Sequence, residues 1–169
     1  FKSRTNNEIL FREAGGLSGS NINLKMPVDR EGAEISLQIY LTDYLKWSTE
    51  AGYVQARDID NLRIPLTAEF NVSAGLHLSL AHTSFDYYAR YVGERLDGND
   101  FNNNQYQKLS SYTVFDCRVA SSIDLDTYNI QLFGGVNNIT NEKYFSAAYS
   151  ETVYPANERQ FYGGIKIEI

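Results

Sequence analysis

The feature that most limits how this chain can fold is the regular alternation of apolar and polar residues over long segments. In residues 33–41, "AEISLQIYL", every second residue is Ala, Ile or Leu, and Glu34, Ser36 and Gln38 stand between them. Residues 68–78 repeat the pattern. Less regular alternation occurs over 7–13, 47–56, 84–95, 112–123, 127–138 and 159–169. A period of two residues predicts strands with one apolar and one polar face, so we predict an antiparallel all-β fold with about eight strands.

Charged residues are segregated onto the polar face of the predicted strands. Three strands carry two charges each at an even spacing, which places both charges opposite the aromatic and aliphatic residues. A charge that faces lipid at mid-depth costs about 2–4 kcal/mol, so a transmembrane β-barrel requires this segregation. In a closed barrel the polar face lines the lumen. The predicted lumen-facing residues are Glu34, Glu50, Glu69, Arg90, Asp116, Arg118, Lys166 and Glu168.

The connections between the predicted strands alternate in length. Short links fall near 43–46, 79–83 and 124–126, and long ones near 14–29, 57–67, 96–110 and 139–158. Tight turns at one edge and long loops at the other are typical of an outer-membrane barrel. The predicted strands also reach the roughly 9–11 residues that a tilted membrane strand needs. Both observations favour a transmembrane β-barrel over a soluble sheet.

Aromatic residues gather toward the ends of the predicted strands. Those near the short turns are Tyr44, Trp47, Phe85 and Tyr128, and those toward the long loops are Tyr53, Tyr91, Tyr112, Phe115 and Phe161. They are candidates for the two interfacial girdles of a membrane barrel. Ordinary cross-strand aromatic packing is the alternative interpretation.

Composition excludes several classes of function. A net charge of −6 without a basic patch argues against nucleic-acid binding. A single cysteine, Cys117, excludes an internal disulfide and a multi-cysteine metal site. We find no catalytic constellation and no metal site, and we interpret His77 and His82 as solvated turn residues. The sequence therefore predicts neither an enzyme nor a cofactor.

Four segments of the chain resemble the C-terminal end of TonB-dependent outer-membrane receptors, in the same order. They are "ARYVGERLDGND" (89–100), "LSSYTVFDCRVASSI" (109–123), "LFGGVNNITNEKYF" (132–145) and "YPANERQFYGGIKIEI" (154–169). These segments carry the resemblance over residues 84–169. Over the rest of the chain only the spacing of the predicted strands is similar.

The resemblance implies a fold, a location and a function. In this family a 22-stranded barrel encloses a plug domain, and TonB supplies the energy for import. Residues 1–169 would then be a single domain, the C-terminal portion of such a barrel, without the plug and the earlier strands; the start "FKSRTNNEILF", with no Met, also suggests a fragment. The expected location is the bacterial outer membrane. The expected function is import of a ferric siderophore, haem, cobalamin or another scarce nutrient. The expected partners are outer-membrane lipid, a small-molecule metal chelate, and the TonB complex through the missing N-terminal part.

The end of the chain is similar to the family's C-terminal assembly signal. The matching residues are Tyr162, Gly164, Ile167 and Ile169. An assembly machinery that pairs with an exposed strand edge would read side chains that alternate across it. The family usually ends in Phe, so Ile169 departs from the pattern.

Substrate contacts are expected on the outer loops, since loops held by a rigid scaffold carry function. The candidates, which combine aromatic surface with charge suited to an anionic iron chelate, are Arg95, Tyr106, Tyr144, Tyr149, Tyr154 and Arg159. Tyr144 and Tyr154 could instead anchor the loop. The run "DGNDFNNN" (97–104) has the oxygen-rich composition of some calcium loops, but its spacing is not that of an EF-hand, and turn chemistry is the alternative.

Two other fold assignments stay open at this point. Eight strands can close into a free-standing outer-membrane barrel whose interior is filled by side chains. A soluble β-sandwich binding module would also show alternating strands, with Phe70, Val72 and Leu76 inside a protein core instead of against lipid.

Overall fold

The computed structural model describes residues 1–15, 18–150 and 152–168, and these residues form twelve β-strands. The strands are β1 (Lys2–Thr5), β2 (Ile9–Gly15), β3 (Ser18–Asn23), β4 (Val28–Tyr40), β5 (Leu45–Arg57), β6 (Phe70–Leu80), β7 (Thr83–Val92), β8 (Tyr112–Leu125), β9 (Tyr128–Asn137), β10 (Phe145–Tyr149), β11 (Thr152–Pro155) and β12 (Gln160–Glu168). Among the described residues there is no helix of the length and hydrophobicity needed to cross a membrane.

Eight of the strands form one antiparallel sheet in the order β1-β4-β5-β6-β7-β8-β9-β12. The other four form two hairpins, β2-β3 and β10-β11, within long connections. The predicted all-β, antiparallel architecture is therefore confirmed, and its count of about eight strands holds for the main sheet. β1 and β12 stand at the two ends of the strand order, so the described residues form an open sheet and not a closed eight-stranded barrel.

The N-terminal assignment needs a correction. The alternation over 7–13 predicts a strand, and most of that segment does lie in β2. However, β2 pairs with β3 outside the main sheet, and the eighth strand of the main sheet is the short β1, which pairs with β4. Four residues are too few for a readable period-two pattern, so β1 was not predicted.

The register of the main sheet separates an apolar face from a polar face. One row of directly paired residues on the apolar face runs Ile35, Ala51, Val72, Tyr91 and Thr113. The neighbouring row on the polar face runs Ser36, Glu50, Ser73, Arg90 and Val114. Because a slip of one residue would exchange the two faces along a whole strand, this segregation strongly specifies the register.

The apolar face is not covered by any other part of the described chain. Ile35 is 64% exposed, Ile165 66% and Phe161 76%. A soluble sandwich would bury such residues under a second sheet. The two small hairpins are the only other sheets that the described residues form, so the sandwich alternative is wrong for this part of the chain. An apolar face of this extent requires a partner that is itself apolar.

Most of the aromatic residues predicted to form girdles lie on the apolar face. Trp47 and Phe85 are near its short-turn end, and Tyr53 and Phe115 near its long-loop end. Tyr112 does not fit that assignment. It pairs with Val92 on the polar face, and its ring stacks on Tyr144 with centroids 3.9 Å apart. The face on which Tyr112 lies was predicted wrongly, because the sequence does not show at which residue regular strand pairing begins.

His77 also differs from its predicted environment. It lies within β6, on the polar face, and its Nδ1 is 2.6 Å from Asp86 Oδ1. Asp86 is further paired with Arg118 at 3.8 Å. His77 is therefore part of a polar chain across three strands, whereas His82 lies in the turn between β6 and β7.

On the polar face, aromatic rings lie over glycines of neighbouring strands. The phenol of Tyr162 covers Gly135, and the ring of Phe133 covers Gly164 in the paired strand. A Cβ added at Gly135 would be 2.5 Å from both the Tyr162 ring and the Cys117 carbonyl oxygen. Real Cβ atoms do not approach so closely, so only glycine allows this ring to pack flat against the sheet.

We predict that Gly135→Ala destabilises the folded protein by about 1–3 kcal/mol, because the methyl group forces the Tyr162 ring or the backbone to move. Chemical unfolding of the whole protein in detergent micelles, followed by tryptophan fluorescence, measures the change. Gly52→Ala is the matched control, since a Cβ there meets only Glu34 Cγ at 3.8 Å. Equal stability of the two variants would contradict this packing.

Candidate functional site

The four long connections lie together at one end of the main sheet and form an ordered unit, called here the loop cap. It consists of residues 6–27, 58–69, 93–111 and 138–159, without the undescribed residues 16, 17 and 151. All buried polar side chains of the described residues belong to it: Glu13, Arg95, Asp97, Asp100 and Asn138. Hydrogen bonds of buried polar groups therefore hold the cap together with apolar contacts, although both carboxylate oxygens of Glu13 lack a partner. As a set of loops on a sheet, the cap is the part of the chain best placed to meet a ligand.

Two buried aspartates organise the central turn of the loop cap. Asp97 Oδ1 accepts the backbone N–H groups of Asn99 at 2.8 Å and Ser150 at 2.9 Å. Asp100 Oδ1 accepts those of Asn104 and Gln105, both at 3.1 Å. Acceptance of local N–H groups is the usual turn chemistry of Asp. The run 97–104 thus uses these carboxylate oxygens to fold itself.

Asparagine side chains join this turn to the neighbouring loops. Asn103 Oδ1 accepts the Arg63 N–H at 2.6 Å, and its Nδ2 donates to the Arg63 carbonyl at 3.0 Å. Asn99 makes the same paired contact with the main chain of Glu13, at 3.1 and 3.0 Å, and also donates to Ser150 Oγ at 2.8 Å. Two amides therefore connect three of the four long connections to the central turn.

Arg95 acts as a clamp on the last long connection. It is 8% exposed, and its guanidinium donates to the carbonyl oxygens of Ser146 at 2.9 Å and Phe145 at 2.8 Å. The same group lies over the Tyr112 ring, with its carbon 5.6 Å from the ring centroid. These contacts give Arg95 a structural role in holding β10, not an exposed position for a ligand.

The asparagine cluster 137–141 ends β9 and starts the last loop. The Asn138 N–H donates to Asp116 Oδ1 at 2.7 Å, and its Nδ2 donates to the carbonyls of Glu142 and Asn157. Asn138 and Asn141 have positive φ angles of 54° and 55°, which Asn tolerates better than most residues. The cluster therefore reverses the chain and ties both ends of the loop together.

The predicted substrate residues do not form one cluster. Tyr144 packs on Tyr112, and Tyr149 makes edge contacts with Phe11 at 5.3 Å and Tyr154 at 6.0 Å. Tyr106 accepts a hydrogen bond from the Gln105 side chain, and exposed Arg159 is bound through its N–H to Asn141. Tyr154 is 39% exposed. The aromatic residues therefore pack within the cap, and parts of their rings are exposed at its surface.

A cleft of about 310 Å³ lies at the edge of the loop cap, between residues 107–112, which reach the first residue of β8, and residues 142–150 with Val153. Tyr112 and Tyr144 form an aromatic wall, and the lining carries both signs of charge, positive from Lys108 and Lys143 and negative from Asp97 and Glu142. Its volume is at the small end of the range of ligand sites. The two lysines were not among the predicted substrate residues, because nothing in the linear sequence brings 108 next to 143.

Two titratable groups of the cap are shifted. Lys108, whose Nζ donates to Glu94 Oε1 at 2.7 Å, and then Arg63 hold the pKa of the Glu94 carboxyl below its ordinary value. Burial, followed by the charges of Tyr154, Asp97 and Glu13, raises the pKa of the Tyr149 phenol. Glu94 is therefore ionised and Tyr149 neutral near pH 7.

The residues predicted to line a lumen are found on or beside the polar face. Glu34, Glu50, Arg90, Asp116, Arg118, Lys166 and Glu168 share it by register. Glu69 precedes β6 and pairs with Arg57 at 2.9 Å and Arg63 at 3.2 Å. Of the predicted assembly residues, Tyr162 and Gly164 lie on the polar face and Ile167 on the apolar face, while Ile169 lies outside the described residues.

The described residues contain no group of three or more His, Cys, Asp or Glu side chains that could hold a metal ion. Taken together, the open antiparallel sheet with one exposed apolar face, short turns at one end and an ordered loop cap at the other define a portion of a large β-barrel. The model of the family described as "TonB dependent receptor-like, beta-barrel" matches residues 1–139, and the chain belongs to this family.

This assignment confirms the resemblance noted in the sequence, although over a different range. The match includes the first part of the chain, where only strand rhythm was recognised, and ends before the last loop and β12. Members of this family are transport receptors and not enzymes, as predicted. No curated protein sequence matches the chain significantly.

Solved structures of several transporters and receptors share the fold at low sequence identity. The copper transporter OprC is 17% identical with a TM-score of 0.75, and the match covers 97% of this chain and 27% of the OprC chain. The ferric citrate transporter FecA is 17% identical with a TM-score of 0.75, and the match covers 85% of this chain and 25% of the FecA chain. The ferric enterobactin receptor PfeA of Pseudomonas aeruginosa is 18% identical with a TM-score of 0.73, over 97% and 27%. This chain spans about a quarter of the length of each.

We predict that Asn99→Ala loosens the loop cap, because it removes the paired contact with Glu13 and the bond to Ser150, at a cost of about 1–3 kcal/mol for the buried groups left unpaired. Hydrogen exchange of the Glu13 amide, which donates to Asn99, is expected to accelerate. Exposed Asn102 gives the control variant Asn102→Ala. Unchanged exchange at Glu13 would show that Asn99 does not hold the cap.

Proposed function

We propose that this chain is the C-terminal barrel portion of an outer-membrane receptor that captures a metal chelate and imports it with energy from TonB. The observation that carries the proposal is the family match over 1–139 on a sheet whose apolar face is exposed. A chain of this length would supply the last strands of a 22-stranded barrel, in which upstream strands cover the two open edges and residues 1–169 form one part of the barrel domain.

The apolar face is proposed to contact outer-membrane lipid. Lipid would cover large side chains such as Leu37, Leu132 and Ile165, which are 44%, 44% and 66% exposed. Between strands, the ladder satisfies the backbone polar groups, as the hydrocarbon region requires. The loop cap then lies on the outer side, where it meets substrate, and the short turns lie on the periplasmic side.

The substrate is proposed to be an anionic metal chelate. The similar receptors include ones described by their names as handling copper, ferric citrate and ferric enterobactin. In this chain the cleft beside Tyr144 carries Lys143, which none of the described ion pairs includes, next to Glu142, while Lys108 is paired with Glu94. Arg159 and Tyr154 are exposed in the same cap. Positive charge next to aromatic surface suits a chelate that is both anionic and planar in part.

The polar face is proposed to line the lumen and to face a plug domain. Exposed Arg90, Glu34 and Glu50 would give such a domain charged groups to contact. The TonB complex would act through the N-terminal part of the receptor. Tyr162, Gly164, Ile167 and Ile169 are proposed to be read by the assembly machinery.

We predict that spin labels at Phe70, Val72 and Leu76, in the whole protein reconstituted in bilayers, are accessible to oxygen and not to a polar nickel reagent. Oxygen concentrates in lipid, whereas packing inside a protein core excludes both. A label at Ser73, which is on the polar face one residue from Val72, is the control. High accessibility of Val72 to the nickel reagent, or none to oxygen, would contradict the membrane location.

We predict that cells dependent on this receptor take up at least one anionic metal chelate, and that loss of TonB abolishes uptake without abolishing binding. Binding is measured with radiolabelled iron chelates on intact cells. Lys143→Ala is expected to weaken binding several-fold, and Lys25→Ala, which removes an exposed lysine of another loop, should not. Uptake that continues without TonB would contradict the proposed source of energy. Equal binding by the two variants would show that the cleft does not bind the chelate.

A further inference from the structure

Glu13 has no partner for its charge. The residue is 6% exposed, and neither carboxylate oxygen has a hydrogen-bond partner. Glu8 also has one unpartnered oxygen, but its other oxygen pairs with Arg30. Burial of an isolated carboxylate is strongly unfavourable, and buried charges in proteins are paired or bind metal ions. The position of Glu13 therefore requires an explanation that the packing of the described residues does not supply.

A second buried carboxylate, that of Asp97, is linked to the main chain of Glu13 through one residue. Asn99 connects the two, since its side chain bonds the main chain of Glu13 in both directions and its own N–H donates to Asp97 Oδ1. Asp97 is 2% exposed. The N–H of Ser150 donates to the same Asp97 oxygen at 2.9 Å, which brings the β10-β11 turn to the same place. Three loops thus meet at this pair of acids.

The positive charge that would neutralise the pair is missing from the described ion pairs. None of them includes Glu13 or Asp97. Arg12, the nearest cation in sequence, lies over the Phe101 ring with 5.5 Å between guanidinium carbon and centroid. Burial raises the pKa of the Tyr149 phenol, and the charges of Tyr154, Asp97 and Glu13 raise it further. Both carboxylates therefore act on one phenol.

We propose that Glu13 and Asp97 bind a calcium ion at the point where the β2-β3 hairpin, the 97–101 turn and the β10-β11 hairpin meet. Glu13 and Asp97 supply carboxylate oxygens, which hard cations prefer. Calcium accepts irregular geometry and completes its shell with carbonyls and water, so two carboxylates suffice where a group of three is not found. The site is independent of the proposed transport function, and the bound ion would cross-link the loop cap.

The experiment measures Ca²⁺ binding to the whole receptor in detergent by calorimetry after treatment with a chelator, together with terbium luminescence excited through tyrosine. Tyr149, whose pKa both carboxylates raise, is expected to sensitise the emission. Glu13→Gln, which keeps the side-chain shape and removes the charge, is expected to raise the Ca²⁺ dissociation constant by about tenfold or more, since even indirect partners of metal ligands contribute that much. Exposed Glu142 gives the control Glu142→Gln, which should bind like the wild type.

Hydrogen exchange of the wild-type protein tests the proposal without any variant. Addition of Ca²⁺ is expected to slow exchange in the β2-β3 hairpin and at Ser150, because the ion joins these segments. No Ca²⁺-dependent protection there, or equal Ca²⁺ affinity of Glu13→Gln and the wild type, would overturn the proposal. Loss of affinity in Glu142→Gln to the same extent would also overturn it, since the ion would then bind by general surface charge.

Discussion

The unbroken antiparallel ladder from β1 to β12 is the constraint on which the rest of this structure depends. Each internal strand gives its backbone N–H and C=O groups to two neighbours, so the strand interiors need no water. With the backbone satisfied in this way, most charged and large apolar side chains can be separated onto opposite faces. Glu50 and Arg90 on one face and Ala51 and Tyr91 on the other show this separation in adjacent rows.

The ladder also decides where order in the loops can come from. Antiparallel neighbours place every second connection at the same end, so four long connections crowd together there. Their polar main chains must find partners inside the cap, and Asp97, Asp100, Asn99 and Asn103 provide them. The result is an ordered surface built from turn-forming residues, with charged and aromatic groups at its edge. A receptor needs such a surface if loops are to present a defined site.

The parts of the fold that could be predicted are those governed by local periodicity. Seven of the long strands were predicted near their true positions, because period two over ten residues is hard to produce in another way. β1 was missed because it is short, and β3, β10 and β11 because small hairpins form only when the cap packs around them. Arg95 was predicted to contact substrate and is buried, since sequence does not show burial. Lys143 was overlooked because the sequence does not show that it lies in the same cleft as Lys108.

The sequence by itself determined which side chains share a face, the alternation of short and long connections, and the family, because each depends on spacing along one chain. Only the tertiary structure decided which loops touch. Asn99 reaches Glu13 across 86 positions, and Asp97 reaches Ser150 across 53. Such contacts depend on the register of several strands at once and leave no periodic trace. The asparagines of 137–141 show both levels: the sequence marks the end of a strand, and the fold makes Asn138 the tie between Asp116 and Asn157.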